Sequence, residues 1–209
     1  MNEFGLLAPE FFVTGLGLLV LAAGFFLRVE RNHLLAYISV VGLALVLVFS
    51  LRYLWEREAR LYEGVVLIDG YALFFKAFFL VLGGVAVLSS MDYVRRYLPH
   101  PGEFYGILLL TIVAMMLLSA SGELLTAYIS LELLSFGLYV LVSYDRYNPK
   151  SNEAGTKYIL LGAFSSALLL YGISQVYGHT GSTRFDQISE ALVAAGDVSP
   201  GLMVGLGLI

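Results

Sequence analysis

Six stretches of about twenty apolar residues dominate this chain of 209 residues, and no water-soluble fold can hide them all. They run approximately over Pro9–Leu27, His33–Leu51, Asp69–Ser90, Phe104–Ser121, Leu124–Tyr144 and Glu153–Tyr177. A bilayer core of roughly 30 Å is crossed by a helix of about that length. Runs such as GLGLLVLAAGFFL and AYISVVGLALVLVF are apolar on every side, whereas the strands of a membrane barrel alternate in segments of about ten residues. Only 13% of the residues are charged and 59% are hydrophobic, too few charges to clothe a water-facing surface. The chain is therefore read as an all-α polytopic membrane protein, one transmembrane helical domain over 1–209 with six complete spans. A seventh apolar run starts at Pro200 and reaches only Ile209, so the sequence is read as the front part of a longer, here truncated, bundle.

Several function classes drop out on composition. The net charge is −4, with no basic patch or tail, so nucleic acid is not a partner. Without cysteine there is no disulfide, Cys-ligated zinc or iron–sulfur cluster. His33, His100 and His179 stand far apart in no metal-ligand spacing, so no metal site is expected. No phosphate loop, dinucleotide fingerprint, HExxH or nucleophile elbow occurs, and no bond-breaking chemistry is assigned to the chain.

Loop charges orient the bundle. Arg28, Arg31, Arg95, Arg96, Arg146 and Lys150 fall on one side, and Arg52, Arg57, Arg60 and Arg184 on the other. The bias places the N-terminus outside the cytoplasm, in a multi-pass protein of the cell (inner) membrane. Glu3 and Glu10, rather than basic residues, precede the first run, which excludes a cleaved signal peptide. The segment Arg52–Gly64 is expected as an exposed outer loop. Over Thr183–Ala195, Phe185, Ile188, Leu192 and Ala195 share one face, and Thr183 with Asp186 fits a capping box. This reads as an amphipathic helix on the outer surface.

An ionisable side chain at mid-membrane costs on the order of 2.5–3.5 kcal/mol on insertion scales, so its presence asks for a purpose or a partner. Glu132 is the clearest case. Tyr128, Ser135, Tyr139 and Ser143 fall near its face at helical spacing, a polar stripe able to hold water and pass protons; the bland alternative is a protonated acid gluing two helices. Lys157, one turn inside the sixth run and four residues after Glu153, is either an i,i+4 or interfacial lysine or a relay amine. Rise along the helices places it about 12 Å from the level of Glu132. Lys76, seven residues after Asp69 and on its face, is expected to pair with Asp69. Glu123 is expected to cap the start of the fifth helix after the Ser121–Gly122 turn. Gly155, Gly162, Ala163, Ser165, Ser166, Ala167 and Gly172 give the sixth helix a surface for close packing.

Two stretches carry a resemblance. LTAYISLELLSFGLYVLVSY, followed by NEAGTKYILLGAFSSALLLYGISQVYGHTGSTRFDQI and preceded by DGYALFFK, resembles subunit N of proton-pumping NADH:quinone oxidoreductase, respiratory complex I, from about Asp69 to Ile188. That resemblance implies an antiporter-like helical bundle in the membrane arm, with other complex I membrane subunits and the lipid bilayer as partners. It implies that Glu132 is the family's fifth-helix glutamate and Lys157 the lysine of its K-Y-x-x-L-G-A motif. Together they would form a proton relay whose partner lysine lies past Ile209. It further implies no cofactor on this chain: NADH, FMN, iron–sulfur clusters and quinone belong to the whole complex. The chain would thus be a subunit of a translocase, without redox chemistry of its own. A multi-subunit cation/proton antiporter requires the same buried Glu–Lys logic and stands as the alternative, as does a non-transporting scaffold in which Glu132 tolerates replacement.

Overall fold

Prolines and short polar caps decide where the helices of this chain begin. The computed structural model describes residues 3–26, 33–55, 57–195 and 199–209. Arg28 and Arg31 of the orientation argument, and the side chains of His33 and Ala195, lie outside the described residues. A 3-10 turn, Glu3–Leu7, leads into α1 (Ala8–Phe26), followed by α2 (His33–Leu54). Strands β1 (Ala59–Leu61) and β2 (Val66–Ile68) form an antiparallel hairpin pairing Ala59 with Ile68 and Leu61 with Val66. Next come α3 (Gly70–Tyr97), α4 (Pro101–Ser119), α5 (Leu124–Val142), α6 (Pro149–Thr180), α7 (Phe185–Ala195) and α8 (Pro200–Leu208).

The caps follow the sequence. Asp69 precedes α3 and its carboxylate accepts the Ala72 N–H at 2.7 Å. Pro101, Pro149 and Pro200 occupy the opening turns of α4, α6 and α8, where a missing N–H leaves no bond unmade. Asn148 and Ser199 accept the Lys150 and Leu202 N–H groups. Gly181 ends α6 at φ 73°, where its N–H donates to the Tyr177 carbonyl at 2.8 Å. Both α3 and α6 run past their apolar runs, α3 through Asp92, Arg95 and Arg96. A helix needs apolar surface only where lipid surrounds it.

The segment expected as an exposed loop after Arg52 is more ordered than that. α2 continues to Leu54, and Leu61 and Ile68 of the hairpin are buried. Strands of three residues show no readable period, which is why the sequence did not reveal them. The connecting turn puts Tyr62 and Glu63 at φ 50° and 60° and Gly64 at 95°.

Among the described residues, six helices are long and apolar enough to cross a membrane. Helix α4 packs against α1, α3 and α5, α2 lies across α3 and α1, and α6 joins the bundle through α5. Lipid is as apolar as leucine, so close packing rather than hydrophobic burial holds such helices together. Gly24 and Gly102 show it: a Cβ on Gly24 would stand 2.7 Å from the Gly102 Cα, so the backbones of α1 and α4 touch. Among the described residues, apolar side chains fill three clusters. The central one includes Val13, Val46, Leu80, Ile112 and Met116; the second, at the hairpin end, includes Leu6, Leu54, Leu61, Ile68 and Leu73. The third joins Leu124, Ile173, Val176, Ile188 and Leu202. Ile188 and Leu192 thus bury the apolar face of α7 against protein. Phe185 on the same helix stays exposed. The capping box expected there is absent: the Thr183 hydroxyl donates instead to Glu123 Oε2 at 2.7 Å, because the start of α5 brings a carboxylate within its reach.

Candidate functional site

Glu132 lies eight residues past the start of α5, about 12 Å along the helix, and is partly buried on the side facing α6. Its Oε1 accepts a hydrogen bond from the Ser166 hydroxyl of α6. Ser166 Oγ also lies 3.3 Å from the Tyr128 hydroxyl, so Tyr128, Ser166 and Glu132 form one chain of exchangeable protons. Ser166 belongs to the small residues noted in the sequence, but nothing in one sequence reveals which of them faces the acid.

The neighbouring contacts set the spacing of the two helices. A Cβ on Gly162 would overlap the Tyr139 hydroxyl, and one on Gly155 would stand 3.3 Å from the Ser143 Cα. Gly155, Gly162 and Ser166 therefore form one stripe of α6, met in antiparallel order by Ser143, Tyr139 and Glu132 of α5. Tyr139 is buried, with its ring edge-on to Tyr158 at 4.9 Å. The Ser143 hydroxyl bonds its own helix at the Tyr139 carbonyl, 2.8 Å away, and Ser135 is partly buried outside these bonds. Of the expected polar stripe, Tyr128 alone joins Glu132, through Ser166; Tyr139 serves as a wedge.

Lys157 pairs with Glu153 at 2.5 Å, one turn earlier on α6, with its side chain 70% exposed. It lies nine residues from Ser166, about 13 Å along the helix, and does not reach Glu132.

The expected Lys76–Asp69 pair is not formed. Asp69 spends its carboxylate on the α3 cap, two turns from Lys76, while Lys76 Nζ crosses to Glu10 Oε1 of α1 at 2.6 Å. Both side chains are buried, 1% and 5% exposed. Glu10 was read from sequence only as an acid leading the first run. The signal lay in phase: Glu10, Val13, Gly17 and Val20 share the buried face of α1, as Lys76 shares that of α3 with Leu73 and Leu80.

At the hairpin end, Glu123 stands at the cap position of α5, but its carboxylate accepts the Thr126 and Thr183 hydroxyls rather than a backbone N–H. Arg184 donates to the Glu63 carbonyl and, at 2.8 Å, to Asp186 Oδ2, which also meets Arg60 at 3.3 Å. The hydrogen bond from Arg184, aided by the Gln187 N–H, lowers the Asp186 pKa from the ordinary 3.8 to about 2. Among the described residues no three His, Asp or Glu side chains converge as metal ligands would.

Residues 121–209 match the family described as NADH:quinone oxidoreductase/Mrp antiporter, TM. NADH-quinone oxidoreductase subunit N of Trichlorobacter lovleyi is 38% identical over 208 residues, covering 99% of this chain and 42% of the relative. Subunit N of Desulfitobacterium hafniense is 41% identical over 195 residues, covering 92% and 39%. The chain thus spans about two fifths of the length of these relatives. Among solved structures, a chain of Thermus thermophilus respiratory complex I with bound aureothin superposes with a TM-score of 0.73 at 28% identity, over 96% of this chain and 42% of that one. A chain of the archaeal membrane-bound sulfane sulfur reductase shares the fold, with a TM-score of 0.75 at 21% identity over 98% of this chain and 42% of that one. Over residues 121–209 the chain thus resembles the membrane domain shared by NADH:quinone oxidoreductases and Mrp antiporters, and over nearly all of its length it is similar to part of subunit N.

Proposed function

We propose that this chain is part of a proton-translocating membrane subunit of an NADH:quinone oxidoreductase, and that Glu132 carries protons in it. The observation that carries the reading is the bond across two helices at mid-span, where Ser166 donates to Glu132 and stands beside the Tyr128 hydroxyl. A carboxyl group with a hydroxyl chain attached can take a proton from one side and release it to the other. Small local rearrangements of Ser166 and Tyr128 would switch its connection. Lys157 is the second relay group of the proposal, holding charge nearer the opposite end of α6, with Glu153 as its present partner. Tyr139 and Ser135 support the path by spacing and by polarity. Asp69 has a capping role, and Lys76 acts with Glu10 rather than with Asp69.

In this reading the chain sits in the cell (inner) membrane with its N-terminus outside. Other membrane subunits of the complex adjoin it. NADH, FMN, iron–sulfur clusters and quinone are handled by other subunits, and energy reaches this chain as conformational and electrostatic change. In the assembled complex, Glu132→Ala leaves assembly intact and lowers proton pumping, and Glu132→Asp retains part of it. An Ala variant that assembles and pumps at the wild-type rate would assign Glu132 to packing alone.

A further inference from the structure

Between the central apolar cluster and the one at the hairpin end lies a thin polar layer that the Glu132 path does not use. Leu6, Leu54 and Leu73 belong to the hairpin-end cluster, and Val13, Val46 and Leu80 to the central one. Glu10, Ser50 and Lys76 fall between these pairs, about one turn from each, on α1, α2 and α3. Phe12 meets Phe49 edge-on at 5.1 Å, holding α1 and α2 in register at this level.

All three side chains are buried, Ser50 completely. Lys76 Nζ pairs with Glu10 Oε1 at 2.6 Å, and the other Glu10 oxygen is buried without a hydrogen bond. The Ser50 hydroxyl has no partner either. The second Glu10 oxygen and the Ser50 hydroxyl, both buried without a partner, are the groups an ordered water needs.

Stability does not explain such a layer. A buried ion pair replaced by apolar residues of similar volume commonly leaves a protein as stable or more so, because desolvation offsets the attraction. Ionisable groups in the interior of a membrane bundle instead mark proton and ion paths.

We propose that Glu10, Ser50 and Lys76 form a second protonic site, a water-holding pair whose proton shifts between Lys76 and Glu10 as the subunit turns over. In that step an Nζ–H bond of Lys76 breaks and an O–H bond forms on Glu10. The ammonium becomes an amine, the carboxylate becomes a carboxylic acid, and the net charge of the pair stays zero. No isolated ion is left among the leucines, yet a dipole spanning α1 and α3 is switched off. The bound water accepts from the Ser50 hydroxyl and donates to the second Glu10 oxygen in the ionic state. The site thus responds to a change of field inside the bundle without opening a path to either surface. This inference rests on the proton-translocating reading.

The test uses the assembled complex, with proton pumping measured per amount of assembled enzyme. Three variants are compared beside Glu132→Gln: Glu10→Met with Lys76→Met, Glu10→Gln with Lys76→Gln, and the exchange Glu10→Lys with Lys76→Glu. The expected result is that both neutral doubles assemble and pump about threefold less or worse, while the exchange recovers a substantial part. A neutral double that pumps at the wild-type rate overturns the inference. So does failure of both neutral doubles to assemble, which would assign the pair to folding. If Glu132→Gln lowers pumping while the neutral doubles do not, only this inference falls; if Glu132→Gln pumps normally, the relay reading falls.

Discussion

Replacing Gly162 by alanine adds one methyl group where α5 and α6 leave no room for it. The new Cβ would overlap the Tyr139 hydroxyl and stand 2.7 Å from its Cζ and 3.0 Å from its Cε1. Ordinary carbon contacts are about 3.5–4.0 Å, so the ring has to retreat by roughly 1 Å or more. Tyr139 cannot simply swing away, because it is buried and its ring is held edge-on to Tyr158. The strain therefore passes into the separation of the helices, at a cost of about 1–3 kcal/mol, the usual range for overpacking. Ser166 sits one turn further along the same stripe, so the same separation also strains its hydrogen bond to Glu132. A double-mutant cycle with Tyr139→Phe, followed by unfolding of the purified protein in detergent, isolates the contact. Gly162→Ala alone should be destabilised by the stated amount. Adding Tyr139→Phe should recover part of the loss, because the overlapping oxygen is gone while Cζ remains close, giving a coupling of about 0.5 kcal/mol or more. A Gly162→Ala variant within about 0.5 kcal/mol of wild type, with an additive cycle, would refute the close approach and with it the spacing of the proposed path.

Two further outcomes follow from a bond in the middle of α6 and a clamp beyond its C-terminal end. Ser166→Ala removes the donor to Glu132 and should weaken the α5–α6 pair by about 0.6–1.7 kcal/mol, the span for hydrogen bonds between membrane helices, with Ser166→Thr largely restoring it; unchanged unfolding of the Ala variant would count against the bond. At the hairpin end, Asp186 has a folded pKa below its ordinary value, so the clamp it makes with Arg184 contributes stability at pH above about 4 and loses it as pH falls toward about 2. Amide exchange over 185–195, referred to that of α6, should rise across this window and already be raised near neutrality in Asp186→Asn; a flat profile would contradict the clamp.

Why some of this was legible in the sequence and some was not is a matter of range. About twenty apolar residues in a row suffice for a span, whatever surrounds it, so the six helices could be read directly. Glu132 stood out because a lone acid in such a run has few innocent explanations. Partners were another matter. Lys76 and Asp69 share one helix face, yet the ion pair runs to Glu10, sixty-six residues away in sequence and brought near only when the bundle assembles. Ser166 was visible as a small residue, but its place opposite Glu132 depends on the register of α5 against α6, set by the Gly162–Tyr139 wedge. Thr183 reads as a local cap, but its hydroxyl bonds Glu123, sixty residues away in sequence. Contacts within one turn follow from spacing, and contacts between helices require the packing itself.

The central claim is that Glu132 gains and loses a proton during turnover, and infrared difference spectroscopy of the assembled complex tests it most directly. Spectra are recorded between resting and NADH-driven states in wild type and in Glu132→Gln. The account predicts a carbonyl-stretching signal of a protonated carboxyl group that appears or shifts with turnover, moves on deuteration, and is missing in Glu132→Gln. A wild-type complex that pumps protons with no Glu132-dependent signal in that region would contradict it.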